Sequence, residues 1–210
     1  MSGKVRLLKF RIHPTMIPVM ILLLMSGDVA YYAMIFGSLI WHECGHLIVA
    51  VKYKLIIEDC TIMPYGGEIR LSKTQRVRKK HKLVVAAAGP IATVFLLLLT
   101  LLMPGPIQTP LMYIQFFILS INLMPIWPLD GGRIIEILIS GKQPLYEIHE
   151  LFLQYSIITC LAVVLCCIFL LPRSVIVLFL FIFILFQNVM EWRYRKYTKA
   201  FEKYALNILT

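Results

Sequence analysis

Acidic side chains are scarce in this 210-residue chain: 11 Asp and Glu stand against 21 Lys and Arg, and charged residues together make up 15% of it. Soluble domains carry about 25%, so an ordinary water-exposed surface is excluded. Cysteine is sparse too, five in all, with no spacing that builds a disulfide framework or a structural zinc ribbon. Cys44, Cys160, Cys166 and Cys167 fall in apolar runs and read as small apolar filler. No internal repeat and no low-complexity tract is present. What remains in abundance is apolar: 60% of residues are hydrophobic and the mean hydropathy is +0.81. That is the composition of an integral membrane protein.

A helical crossing needs about 20 apolar residues. By that measure six spans are expected, over residues 15–26, 29–51, 83–103, 110–129, 151–171 and 175–190. The first is short and lies among Pro14 and Pro18; it reads as a retained span rather than a cleaved signal, because no A-x-A cleavage site follows it. With the N-terminus inside, only Arg173 of the 21 basic residues falls outside. The positive-inside rule therefore places both termini in the cytoplasm. The net charge of +10 is then a topology signal, reinforced by anionic lipid headgroups, and no nucleic acid is needed to explain it.

Within the second expected span stands His42-Glu43-Cys44-Gly45-His46. A spacing of four puts His42 and His46 on one helix face a turn apart, so two imidazoles can meet one metal ion, with Glu43 beside them. A pair of histidines satisfied by each other or by backbone is the plainer alternative. Burying Glu43 in a bilayer costs about 2.5–3.5 kcal/mol on insertion scales, which favours function. Cys44 points off the histidine face. The orientation above sets the pair toward the cytoplasmic end of its span.

Two further segments interrupt the apolar pattern. Residues 55–62, the turn-forming Met63-Pro64-Tyr65-Gly66-Gly67 and residues 68–71 read as strand, turn, strand. Irregular backbone at membrane depth survives only where protein or a wet cavity satisfies it. The hairpin is therefore either re-entrant and lines the site, or an ordinary cytoplasmic connector. The second segment, Asn122-Leu123-Met124-Pro125-Ile126-Trp127-Pro128-Leu129-Asp130-Gly131-Gly132, ends the fourth span with two prolines and two glycines that break a helix. Asp130 is either a third zinc ligand or a helix cap at the water boundary. Its level in the membrane, at the cytoplasmic end of its span like the histidines, favours the ligand. His13, His81 and His149 read as structural, His149 in a polar connector.

Taken together, the His42–His46 motif, the asparagine-proline-proline-aspartate-glycine pattern ending in Asp130-Gly131-Gly132, the Pro64-Tyr65-Gly66-Gly67 turn and Ala88-Gly89-Pro90 resemble the site-2 protease family of intramembrane zinc metalloproteases, and its bacterial sporulation subgroup in particular. The resemblance runs from near the N-terminus to the last span. It implies that His42, His46 and Asp130 bind one Zn2+ and that Glu43 is catalytic. It also implies that Asn122, Pro125 and Pro128 shape the substrate path and that Gly66 and Gly67 help to hold an extended substrate. The implied partners are the lipid bilayer, a membrane-associated protein substrate such as a sporulation sigma-factor precursor, and inhibitory membrane proteins.

The expected architecture is an all-α polytopic membrane protein of about six transmembrane helices, with a short re-entrant β-hairpin between helices 2 and 3. Residues 1–210 would form a single membrane-embedded metalloprotease domain, with no appended soluble regulatory domain of the cystathionine beta-synthase type that subgroup members often carry. A metal or proton transporter using the His/Glu/Asp cluster as an ion pathway is the alternative. The absence of a repeated broken-helix element in a second half counts against it.

Overall fold

The computed structural model describes residues 10–12, 14, 28–63, 66–71, 77–141 and 145–209, with backbone alone at 10–12, 58–63, 66–71, 145–147, 198–199 and 201–209. Its elements are β1 (Phe10–Ile12), α1 (Val29–Lys52), β2 (Ile57–Met63), β3 (Gly66–Leu71), α2 (Lys79–Thr100), α3 (Gly105–Asn122), α4 (Asp130–Ile139), α5 (Leu145–Phe169) and α6 (Val175–Leu209). The expected first span, residues 15–26, lies outside the described residues.

Among the described residues, four helical stretches are long and apolar enough to cross a membrane: Val29–Lys52, Lys79–Thr100, Ile148–Phe169 and Val175–Tyr197. Burial is arranged as lipid demands. Ile91, Phe169 and Ile176 are exposed, while Ser38, Thr93, Gln115, Ser156 and Asn188 are buried. Polar side chains turned inward and apolar ones turned outward fit a bilayer and would be unstable in water.

The fourth expected span is corrected. Its helix is α3, which begins earlier, at Gly105, and ends at Asn122, seven residues before the expected boundary. With Gln108, Pro110, Gln115 and Asn122 in its 18 residues, it is not among the four apolar helices. The prolines at 125 and 128 stop the helix, and the chain runs irregularly until Asp130 opens α4. Asp130 thus starts a new short helix instead of closing a span.

The expected hairpin is present as β2 and β3, and the all-α expectation with that hairpin alone is corrected by β1, which extends it to a three-stranded sheet in the order β1-β2-β3. β1 runs parallel to β2, with Phe10 opposite Cys60, and β2 pairs antiparallel with β3, from Met63 opposite Gly66 to Ile57 opposite Leu71. Gly66 and Gly67 therefore begin a strand and are not turn residues. β1 escaped the sequence reading because three residues are too few to show a period.

The chain forms two compact units, residues 1–77 with 87–120, and residues 78–86 with 121–210. In the first, α1 packs on β3. Trp41 Nε1 donates to the carbonyl of Ala92 on α2 at 2.8 Å, and Gln115 Nε2 of α3 donates to Ser38 Oγ of α1 at 2.6 Å. In the second, α5 packs along α6 and α4 packs on α5. Lys79 Nζ donates to Ser140 Oγ at 2.9 Å and to the Gly141 carbonyl at 2.8 Å, so a lysine ammonium satisfies the C-terminal end of α4.

Candidate metal centre

The first unit holds the two histidines. On α1 the buried residues are Ser38, His42, His46 and Ala50, one every four positions, the interior stripe of a helix in contact with neighbours along one face. That stripe carries both imidazoles inward. His42 Nε2 and His46 Nε2 lie 3.2 Å apart, and the rings meet edge to face with centroids 4.9 Å apart. Two nitrogens at about 2.0–2.1 Å from a tetrahedral zinc stand about 3.3 Å from each other. The pair fits one ion.

Gly89 on α2 leaves open the space beside this pair. A Cβ at Gly89 would lie 2.6 Å from His42 Nε2 and would overlap His46 Nε2 outright. Only glycine lets α2 come this close to both metal-facing nitrogens. On the other side of the His42 ring, Nδ1 lies 2.8 Å from Thr93 Oγ1. Glu43, one residue further round α1, is half-buried with Oε2 shut away from solvent. Cys44, a free thiol, is half-buried.

The second unit holds the aspartate. Asp130 is buried, and it is the first residue of α4. The N-cap is Leu129, with no side-chain cap bond, so Asp130 does not cap the helix. Asn122 is buried at the end of α3, Pro128 is buried and Pro125 half-buried in the irregular run between them. That run is held at both polar groups of Trp127: its N–H donates to Ser156 Oγ at 3.0 Å, and its carbonyl accepts from Asn188 Nδ2 at 2.5 Å. Gly131 permits the backbone to fold back on itself, since a Cβ there would overlap the Leu123 carbonyl and stand 2.6 Å from that of Met124.

Thr93, Gln115, Ser156 and Asn188 were legible only as polar positions inside apolar runs, a signal that marks function or internal hydrogen bonding in a membrane protein. His149 was assigned to a polar connector; it lies instead in α5, with Nδ1 2.8 Å from Glu136 Oε1 of α4 and Nε2 3.8 Å from Glu191 Oε1 of α6.

Known proteins agree with this picture. Residues 106–163 match the family model described as Peptidase family M50. Stage IV sporulation protein FB of Bacillus subtilis is 27% identical over 197 residues, 91% of this chain and 68% of that protein. A zinc metalloprotease of Methanocaldococcus jannaschii is 29% identical over 120 residues, covering 53% of this chain and 34% of its own length. Among solved structures, the site-2 protease from Methanocaldococcus jannaschii superimposes with a TM-score of 0.70 at 22% identity, covering 91% of this chain and 94% of that one, so the two share a fold. By its motifs, by the match over residues 106–163 and by its fold, this chain is similar to the site-2 proteases and to peptidase family M50.

Proposed function

We propose that this chain is an intramembrane zinc metalloprotease that hydrolyses peptide bonds in or near a membrane-associated segment of a protein substrate. The observation that carries this reading is the buried pair of imidazole nitrogens at 3.2 Å, facing the space that Gly89 leaves. His42, His46 and Asp130 would hold one zinc per chain; all three are buried, and two imidazoles with a carboxylate are a donor set that catalytic zinc takes. Bound there, zinc supplies Lewis acidity toward a carbonyl oxygen and lowers the pKa of water toward about 7.

Glu43 is the base in this reading. Its carboxylate takes the proton of the attacking water and returns it to the leaving amine, the two transfers that peptide hydrolysis requires. Because a transmembrane substrate has its carbonyls bonded internally, the cleaved segment must unwind. β3 is one edge of the sheet, and pairing along it would hold the segment extended, with Gly66 and Gly67 at its start and Asn122, Pro125 and Pro128 shaping the path. The excess of basic residues favours a cytoplasmic placement of both termini and of the site. The sporulation likeness directs the search for a substrate to a membrane-associated sigma-factor precursor.

Zinc content and gel-based cleavage, measured on the detergent-solubilised chain, test the reading together. Glu43→Gln should lower proteolysis by about 10²–10⁴-fold with zinc retained, whereas Asp130→Ala should lose metal and activity in step. Full activity in Glu43→Gln, or normal zinc in Asp130→Ala, would remove that residue from its role.

A further inference from the structure

We infer that Thr93 is a positioning residue that fixes the tautomer and ring orientation of His42 for the metal; this rests on the zinc reading above. Thr93 sits on α2, one turn beyond Gly89, and is wholly buried. Its hydroxyl donates to the Gly89 carbonyl at 3.2 Å, and the same oxygen lies 2.8 Å from His42 Nδ1. A hydroxyl has one proton to give. With that proton on the Gly89 carbonyl, Oγ1 can only accept from His42, so Nδ1 carries the ring proton. Nε2, on the opposite side of the ring, then presents its lone pair toward His46 Nε2 and the space above Gly89.

The reverse arrangement, with the ring proton on Nε2, would have to turn the Thr93 hydroxyl toward Nδ1 and forfeit its bond to Gly89. It would also aim a proton at the place where a ligand nitrogen is required. Both alternatives are dry, since neither His42 nor Thr93 reaches solvent, so water cannot replace the lost bond. The neighbouring bond from Trp41 Nε1 to the Ala92 carbonyl at 2.8 Å sets the register of α1 on α2 one residue earlier in each helix. Trp41 meets Ala92, and His42 meets Thr93. Glycine and threonine at positions 89 and 93 thus give one face of α2 two duties, clearance for the metal side of the ring and an acceptor for its far side.

Partners behind a metal-binding histidine commonly change metal affinity by about 10–100-fold. The test uses the full chain in detergent micelles as wild type and as two variants, the near-isosteric Thr93→Val and Thr93→Ser, which restores the hydroxyl. Zinc affinity is read by competition with a chelator, and the histidine ring protonation by nitrogen NMR on the metal-free protein. Thr93→Val should bind zinc about 10–100-fold more weakly, its kcat recovering at saturating zinc with KM unchanged, while Thr93→Ser returns to within about threefold of wild type. The wild-type spectrum should show His42 protonated at Nδ1. Wild-type zinc affinity in Thr93→Val, or a proton on His42 Nε2 in the metal-free wild type, would overturn this inference alone; a wild-type protein that takes up no stoichiometric zinc would overturn the zinc reading with it.

Discussion

The two histidines and the aspartate are delivered by opposite means. His42 and His46 belong to one uninterrupted helix, whose 3.6-residue turn puts both rings on one face, with their nitrogens 3.2 Å apart. Asp130 arrives at the end of seven irregular residues, and nothing local dictates where its carboxylate goes. Its placement is assembled from afar: Ser156 of α5 and Asn188 of α6 grip the two polar groups of Trp127, and Glu136, His149 and Glu191 link α4 to α5 and α6. One half of the proposed donor set is written in helical periodicity, the other in tertiary packing. The histidine half should therefore fail through sterics at the ring nitrogens, and the aspartate half through loss of fold.

Paired glycine substitutions separate these modes with the largest effects. Gly89→Ala would drive a methyl group into both metal-facing nitrogens. Zinc binding should weaken by at least about 100-fold, the upper end for changes outside the ligands, and proteolysis should vanish, while the melting temperature of the metal-free protein stays within a degree or two. Gly131→Ala instead meets backbone carbonyls of Leu123 and Met124, which cannot rotate away. It should cost about 1–3 kcal/mol of stability as an overpacking change, read as a lower melting temperature even without metal. Equal melting temperatures for the two variants would dissolve the contrast.

A smaller effect is expected at Asn188, where the grip on Trp127 can be removed without a void. Asn188→Leu deletes the donor to the Trp127 and Ile184 carbonyls. It also deletes Oδ1, which is buried without a hydrogen-bond partner, so part of the loss is recovered. The net change should be about 1 kcal/mol in stability, with cleavage reduced several-fold and zinc uptake by the histidine pair unchanged at high metal concentration. A drop in activity as large as that of Gly89→Ala would show that the irregular run has no other support.

The same division explains what could be read without coordinates. The helix carrying His42 and His46 was legible because apolar runs and a four-residue spacing are local, and α1 covers residues 29–52 where 29–51 was expected. The broken helix before Asp130 was legible in its flanking prolines and glycines, but the new helix α4 was not, since its ten residues merge into the apolar pattern around them. Thr93 gave no more than a polar letter in an apolar run. Its partner lies 51 positions away, and sequence alone carries no term for such a contact. The three residues of β1 show no period of their own, and their parallel pairing with β2 joins Phe10 to Cys60, nearly as far along the chain.

The smallest expected effect concerns β3, which belongs to neither mode because its proposed role is toward substrate and not toward the donors. Successive residues of an edge strand point their N–H groups alternately into the sheet and away from it. Glu68 and Ile69 lie opposite Thr61 and Cys60 in a regular stretch of the ladder, so one of the two faces β2 and the other the open edge. Proline at each position removes a single N–H without adding charge. The inward one should destabilise the hairpin. The outward one should leave stability and zinc content alone and raise KM about fivefold, the worth of about one net hydrogen bond of 1 kcal/mol. Cysteine crosslinking from β3 to a substrate held by Glu43→Gln supplies the independent reading. If both prolines cleave at the wild-type rate and β3 crosslinks to no substrate, the strand pair is a connector and the extended segment is held elsewhere.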